Sequence, residues 1–104
     1  MRIINRSILD RYIKKHRSKD LKSSISNWLE ITKESEWKCQ DDVRKNFTKV
    51  SFLPHSRLVF NIAGNNYRLS VIVIYISGLV KIEWVGTHQE YDRLDLTKKI
   101  IRSN

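Results

Sequence analysis

The chain has 104 residues, the length of about one compact domain, which argues against a multidomain enzyme. Hydrophobic residues make up 40% of it and include three Trp, four Tyr and three Phe, so we expect a packed core rather than disorder. Twenty Lys and Arg against eleven Asp and Glu give a net charge of +9 and a pI near 9.9. Such a basic domain typically binds nucleic acid, although solubility alone is an alternative explanation. We treat residues 1–104 as one domain.

Targeting signals and disulfides are not expected. The strongest apolar run, residues 71–76, has strand length and is far below the roughly 18 residues that cross a membrane. Arg2, Asn5 and Arg6 interrupt the N-terminus, which therefore lacks an apolar signal region. Cys39 is the only cysteine, so no internal disulfide is possible. These features predict a cytoplasmic protein without a membrane partner.

The positive charge is concentrated near the N-terminus. Residues 6–22 contain seven Lys or Arg and two Asp, a net charge of +5. Residues 30–42 contain two Lys and five acidic residues, a net charge of −3. A phosphate-rich partner would meet the first segment, but a basic stretch is also often only a solvated helix face.

Helical periodicity dominates the first half of the chain. Residues 1–5 are predicted as a short strand, and Ser7 with Asp10 predicts a capped helix start. That first helix has one apolar face, and its basic residues lie largely off it. A second helix is predicted over residues 21–32 and a shorter third one over residues 40–46.

The second half of the chain has strand periodicity. Residues 57–62 alternate, residues 64–66 form a turn, and residues 67–76 form a long central strand. Ser77-Gly78 predicts a tight hairpin to residues 79–85, with Val80, Ile82 and Trp84 on one face. Helices followed by three antiparallel strands predict an α+β fold with the helices on one face of the sheet. A last helical turn or two is predicted within residues 96–102.

His88 is the main candidate for chemistry, in the polar segment 86–92 after the last strand. With an unperturbed pKa of about 6.5, a His can give or take a proton at neutral pH. RNA cleavage without a metal needs one group to remove the 2′-hydroxyl proton and another to protonate the leaving 5′-oxygen. The alternative is that His88 only caps the strand or bonds to a backbone group.

Arg68 and Tyr91 are the other site candidates. An Arg on an otherwise apolar strand is costly unless it is paired or faces a polar cleft, so Arg68 is a candidate phosphate stabiliser. Its alternative is an ion pair with Glu83 across the hairpin. Tyr91 either stacks on a base or orients a phosphate, or it packs its ring against the sheet edge.

Other chemistries have little support in the sequence. His16 and His55 have no partners at metal-ligand spacing, so no metal is predicted. Neither a glycine-rich phosphate loop nor a Ser-His-Asp signature is present. The three Trp residues, Trp28, Trp37 and Trp84, fit the core pattern and are interpreted mainly as core.

Several segments together resemble the HigB family of toxins, which belongs to the RelE-like mRNA interferases. The most specific are GNNYRL at residues 64–69 and GTHQEYD at residues 86–92, in this order and at this spacing. The opening MRII, the Trp37 region with Asp42-Val43, and VFNI at residues 59–62 add to it. The resemblance extends from residue 1 to about residue 95.

The resemblance implies a RelE-like α+β fold, with two to three N-terminal helices on a small, mainly antiparallel sheet. It implies a ribosome-dependent endoribonuclease that cleaves mRNA in the A site without a metal or other cofactor. It also implies a HigA-type helix-turn-helix antitoxin as partner, with operator DNA reached only through that antitoxin. A non-catalytic RNA- or ribosome-binding module, or a structural partner of a DNA-binding protein, are the alternatives.

The family motifs suggest roles for the site residues. His88 is expected to be a general acid or base, Arg68 to stabilise the phosphate, and Tyr91 to stack on a base or orient the RNA. Which residue acts as acid and which as base stays open, because RelE-like toxins vary in this. The RNA-binding candidates are the cations and amides Arg11, Lys14, Lys15, Arg57, Asn61 and Asn66.

Overall fold

Helices precede most of the strands along the chain. The computed structural model describes residues 1–94, so the helix predicted within residues 96–102 lies outside the described part. The elements are β1 (Arg2–Ile4), α1 (Ser7–His16), α2 (Lys19–Glu34), α3 (Gln40–Asn46), β2 (Val50–Leu53), β3 (Arg57–Ile62), β4 (Tyr67–Ile74), β5 (Leu79–Thr87) and α4 (His88–Arg93). No helix in this part is long and apolar enough to cross a membrane.

The strands form one five-stranded sheet in the order β1-β5-β4-β3-β2. All neighbours are antiparallel except β1, which runs parallel to β5. The predicted α+β class and the predicted three-strand meander β3-β4-β5 are confirmed. The edge strand β2 was not predicted, because it is a run of only four residues that ends just before Pro54.

Helices α1, α2 and α3 cover one face of the sheet, which we call the helix face. Trp28 and Trp37 are both buried there, and their rings lie 5.4 and 6.3 Å from the ring of Phe60 on β3. Offset and edge-on aromatic contacts of this kind add to the apolar area that they bury. The rest of this core comes mainly from Leu9, Leu21, Ile25, Val43, Leu58, Leu69, Val71, Val73, Val80, Ile82 and Val85.

The start of α1 differs from the prediction. Ser7 does not cap the helix, because Arg6 is the residue that precedes its first turn and no side chain bonds to that turn. Asn5 has a positive φ of 65°, and its carbonyl and that of Arg6 accept the amide protons of Ile8 and Leu9. The backbone therefore satisfies these donors, and Ser7 already lies inside the helix.

A β-bulge changes the direction of Trp84. Val71 pairs with Ile82 and Ser70 pairs with Trp84, so Glu83 is an extra residue in β5. The prediction that Trp84 shares a face with Ile82 is therefore wrong. Trp84 lies half-buried on the opposite face, which we call the far face.

The β4–β5 connection also differs in detail. β4 ends at Ile74, two residues earlier than predicted, because Tyr75–Ser77 form a short 3-10 turn. Gly78 follows with a φ of 66°, a left-handed conformation that glycine adopts without strain. The hairpin at Ser77-Gly78 is confirmed, although it is one turn longer than predicted.

Candidate active site

The end of β5 and the start of β4 bring the two motif segments together. In the sheet, Arg68 on β4 lies opposite Gly86 on β5 and opposite Asn61 on β3. Its side chain therefore lies on the far face, at the end of these strands. Residues 86–92 do not form a loop, because β5 continues to Thr87 and α4 starts at His88. The first residue of this helix therefore lies beside the Arg68 side chain.

The Arg68 guanidinium is held from several sides and is only 9% exposed. Its Nη1 donates to the carbonyls of Asn65 and Tyr67, both at 3.1 Å, and its Nη2 donates to Asn65 Oδ1 at 2.8 Å. Nη2 also lies 3.0 Å from His88 Nδ1. These contacts fix the guanidinium in one orientation, with the imidazole as its neighbour.

The contact between Arg68 and His88 determines how the imidazole carries its proton. A guanidinium only donates hydrogen bonds, so His88 Nδ1 accepts here and is unprotonated. A neutral imidazole then carries its proton on Nε2, which lies 3.3 Å from Asp92 Oδ2. Since 43% of the His88 side chain is exposed, a ligand can reach the imidazole from solvent.

A capping box fixes the start of α4. Thr87 Oγ1 accepts the amide proton of Glu90 at 3.0 Å, and Glu90 Oε1 accepts the amide proton of Thr87 at 2.8 Å. The bond from the Thr87 amide is the main cause that lowers the pKa of Glu90 below its ordinary value. The T-x-x-E pattern is a known helix-start signature, so the sequence contained a signal for this helix, although the helix was not predicted.

Tyr91 lies next to Arg68 on α4. The Arg68 guanidinium is 5.9 Å from the centre of its ring, and the Trp84 ring centre is 6.2 Å away. Burial raises the pKa of Tyr91, so its hydroxyl keeps its proton at neutral pH. The ring is half-buried between these two neighbours, which leaves both the packing role and the RNA-orienting role compatible with its position.

A cleft of about 410 Å³ opens beside His88 and is lined by Asn65, Asn66, Tyr67, Thr87, His88 and Gln89. The Asn66 carbonyl accepts the His88 amide proton at 2.8 Å, so the turn between β3 and β4 forms one wall. Asn61 donates to Asn65 Oδ1 at 3.3 Å and so connects to the Arg68 support. The predicted amides Asn61 and Asn66 therefore both lie at the site, and Asn65 is a site residue that was not predicted.

Arg57 is not placed as predicted. It is only 3% exposed, and its guanidinium binds both carboxylate oxygens of Glu83 at 2.7 and 2.8 Å. Arg57, rather than Arg68, is thus the ion-pair partner of Glu83. Its predicted role as an RNA contact is corrected to a structural one, because a buried and paired guanidinium does not present its donors to RNA.

The remaining predicted cations are exposed on α1. Arg11, Lys14 and Lys15 all lie on the surface of this helix. Helix α1 also reaches the site itself, because the Tyr12 hydroxyl donates to Glu90 Oε1 at 3.3 Å. Within residues 1–94, no three His, Cys, Asp or Glu side chains group closely enough to hold a metal ion.

The fold and the site define a small, basic α+β protein with a His–Arg pair at one end of a sheet that helices cover on the other face. The family model described as HigB_toxin, the RelE-like toxic component of a toxin–antitoxin system, matches residues 21–94. The chain therefore belongs to the HigB toxin family and is a RelE-like toxin of a toxin–antitoxin system. Such a toxin implies a cognate antitoxin as partner. No curated protein matches the chain.

Proposed function

We propose that this toxin is a ribosome-dependent endoribonuclease that cleaves mRNA in the A site and so stops translation. The observation that carries the proposal is the 3.0 Å contact between Arg68 Nη2 and His88 Nδ1. It places a group that exchanges protons beside a fixed cation, which is what attack of a 2′-hydroxyl on the adjacent phosphate requires.

In this mechanism Arg68 binds the scissile phosphate. Its guanidinium is already oriented by Asn65 and Tyr67, so little reorganisation is needed when charge develops on the phosphate oxygens. Of the contacts described above, none uses Nε, so Nε and the Nη2 donor that leaves His88 can bind two phosphate oxygens at once while Asn65 and Tyr67 keep the guanidinium oriented. Tyr91, whose pKa is raised by burial, keeps its hydroxyl proton and orients the phosphate or stacks on a base.

His88 performs the proton transfer. When the phosphate draws the Arg68 donors to itself, Nδ1 is freed to accept the 2′-hydroxyl proton. The 2′-oxygen forms a bond to phosphorus as the bond to the 5′-oxygen breaks, which leaves a 2′,3′-cyclic phosphate and a 5′-hydroxyl. Water protonates the leaving 5′-oxygen. In the alternative assignment, water takes the 2′-hydroxyl proton and His88 gives the Nε2 proton to the 5′-oxygen.

We propose that α1 binds RNA through its exposed cations. Arg11, Lys14 and Lys15 supply phosphate contacts, Asn66 lines the cleft where the message enters, and Asn61 supports the wall of that cleft through Asn65. Residues 1–104 act as one domain in the cytoplasm, where the ribosome is. A HigA-type helix-turn-helix antitoxin neutralises the toxin, and operator DNA is reached only through that antitoxin.

The test is cleavage by the purified protein on translating ribosomes, with message ends mapped by primer extension. We expect new ends within A-site codons, none with the same message free of ribosomes, and at least about 10²-fold slower formation of these ends with His88→Ala. Ribosome binding measured by co-sedimentation is the companion readout. Wild-type protein that sediments with ribosomes yet produces no new ends would refute the enzyme and leave a non-catalytic ribosome-binding module.

A further inference from the structure

A hydrogen bond connects the basic helix α1 to the helix that carries His88. The Tyr12 hydroxyl on α1 donates to Glu90 Oε1 on α4 at 3.3 Å. The two residues are far apart in sequence, so this contact exists only in the folded protein. It joins the surface proposed to bind RNA to the helix proposed to do the chemistry.

Tyr12 is well placed to hold its partner. Its ring centre lies 4.0 Å from that of His16 and 6.3 Å from that of Tyr67, whose strand position pairs with Thr87. Burial, followed by the charge of Glu90, raises the pKa of Tyr12. The hydroxyl therefore keeps its proton at neutral pH and stays a donor toward the carboxylate.

Glu90 receives this bond on the same oxygen that closes the capping box. Its Oε1 accepts from the Thr87 amide at 2.8 Å as well as from Tyr12. A Cβ at Gly86 would lie 2.9 Å from this oxygen, so the carboxylate fills the space above the bare backbone. The carboxylate is thus oriented from three directions, by α1, by the helix start and by the strand end.

Helix α4 needs such a restraint, because it has only six residues. Helices this short are not stable by themselves and depend on their caps and on packing. A shift of α4 would move His88 Nδ1 away from Arg68 Nη2, and this contact defines the site. Whatever holds the start of α4 therefore also sets the position of the imidazole.

We propose that Tyr12 and Glu90 are positioning residues, which hold the first turn of α4 so that His88 stays against Arg68. The proposal rests on the catalytic role proposed above for His88. It makes α1 both an RNA-binding surface and a support for the proton-transfer group.

The test compares three variants in single-turnover cleavage on programmed ribosomes. Glu90→Ala removes the cap and is expected to lower kcat about tenfold. Tyr12→Phe removes one hydrogen bond and is expected to lower kcat about threefold. Glu90→Gln is expected to restore most of the rate, because Gln in this position also closes a capping box. KM for the ribosome–message complex should change by less than about twofold in all three variants.

Two control substitutions match these changes without touching α4. Tyr75→Phe removes a buried hydroxyl that has no hydrogen-bond partner within the described residues. Glu30→Ala removes an exposed carboxylate from α2. Both should keep kcat within about twofold of wild type, since neither change touches the site.

A spectroscopic readout separates this proposal from the proposed function. The ring nitrogens of His88 report by NMR whether Nδ1 is the unprotonated nitrogen, without any RNA present. We expect this tautomer in the wild type and in Glu90→Gln, and a mixture of tautomers in Glu90→Ala. If wild type does not cleave, but the tautomer of wild type becomes a mixture in Glu90→Ala, the enzyme is refuted while the positioning of His88 by Glu90 is supported. Glu90→Ala that keeps both the wild-type tautomer and the wild-type kcat would overturn the positioning role alone.

Discussion

The ion pair between Arg57 and Glu83 allows a sharp test of the far face. Both side chains are nearly inaccessible, with exposures of 3% and 10%, and two short hydrogen bonds join them. Ser70 Oγ donates a further bond to Glu83 at 2.9 Å. Replacement of Arg57 by Met would leave the Glu83 charge buried, with Ser70 as its remaining bond among those described.

The expected cost follows from the loss of one partner of a buried pair. Such a change typically destabilises a protein by about 3–5 kcal/mol, because the remaining charge has no compensation. A small domain has only about 5–15 kcal/mol of stability in total. Since each kcal/mol shifts the Tm of a domain of this size by about 4–8 °C, Arg57→Met should lower the Tm by more than about 10 °C.

Urea unfolding followed by Trp fluorescence measures the effect in a double-mutant cycle. Arg57→Met and Glu83→Leu should each be strongly destabilising, whereas the double variant should recover most of the loss, because no uncompensated charge remains. Arg44→Met is the matched control. It removes an exposed pair with Asp41 and a cation–π contact with the Phe52 ring, which together should cost about 1–2 kcal/mol, less than the buried pair.

Two outcomes would refute this reasoning. If Arg57→Met costs no more than Arg44→Met, the pair is not a buried structural element. If Arg57→Met leaves stability unchanged but weakens RNA binding, Arg57 is an RNA contact, as the sequence predicts, and the structural role is wrong.

Three further predictions concern the site. Arg68→Lys should lower single-turnover cleavage by about 10²-fold or more, because Lys cannot reproduce the fork held by Asn65; a rate near wild type would show that only the charge matters. Gly86→Ala should lower both the Tm and the cleavage rate, since its Cβ would lie 2.5 Å from the Trp84 ring; an unchanged Tm in thermal unfolding contradicts this. Folding lowers the pKa of the Glu90 carboxyl, so the ionised carboxylate stabilises the folded protein at any pH above the pKa that Glu90 has in the unfolded chain. This stabilisation is lost as the pH falls through the lower pKa of the folded protein. The Tm difference between wild type and Glu90→Gln should therefore be constant near neutral pH, and in acid the Tm of wild type should fall relative to that of Glu90→Gln. A Tm difference that does not depend on pH would contradict this prediction.

The sequence predicted the elements in which local periodicity and packing agree. The positions of Leu21, Ile25, Trp28 and Thr32 all favour one buried helix face, and all four are buried on α2. The turn at residues 64–66 and the hairpin glycine Gly78 were predictable because they require backbone conformations that few residues adopt.

The errors lie where the tertiary structure determines the outcome. Alternation places Trp84 on the face of Ile82, but the extra residue Glu83 interrupts it, and a bulge has no strong signal in a single sequence. Likewise, nothing local shows whether Arg57 or Arg68 pairs with Glu83. Strand register decides this, because Arg68 lies opposite Gly86 at the strand end.

The candidate site was predictable in part. The chemistry of His88, Arg68 and Tyr91 and the two motifs that contain them both indicate these residues, and the structure places all three within one cluster. The supporting residue Asn65 was not predicted, because its backbone carbonyl and its side-chain amide reach Arg68 only through the geometry of the turn between β3 and β4. Tyr12 becomes relevant only when α1 packs beside α4.

The most direct test of the proposed active site is single-turnover cleavage of a defined message on programmed ribosomes by wild type and by His88→Ala. We predict that wild type leaves a 2′,3′-cyclic phosphate at an A-site codon. We also predict that His88→Ala binds the ribosome equally well but cleaves about 10²–10⁴-fold more slowly. Cleavage by His88→Ala at the wild-type rate would contradict the central claim that His88 and Arg68 form the active site.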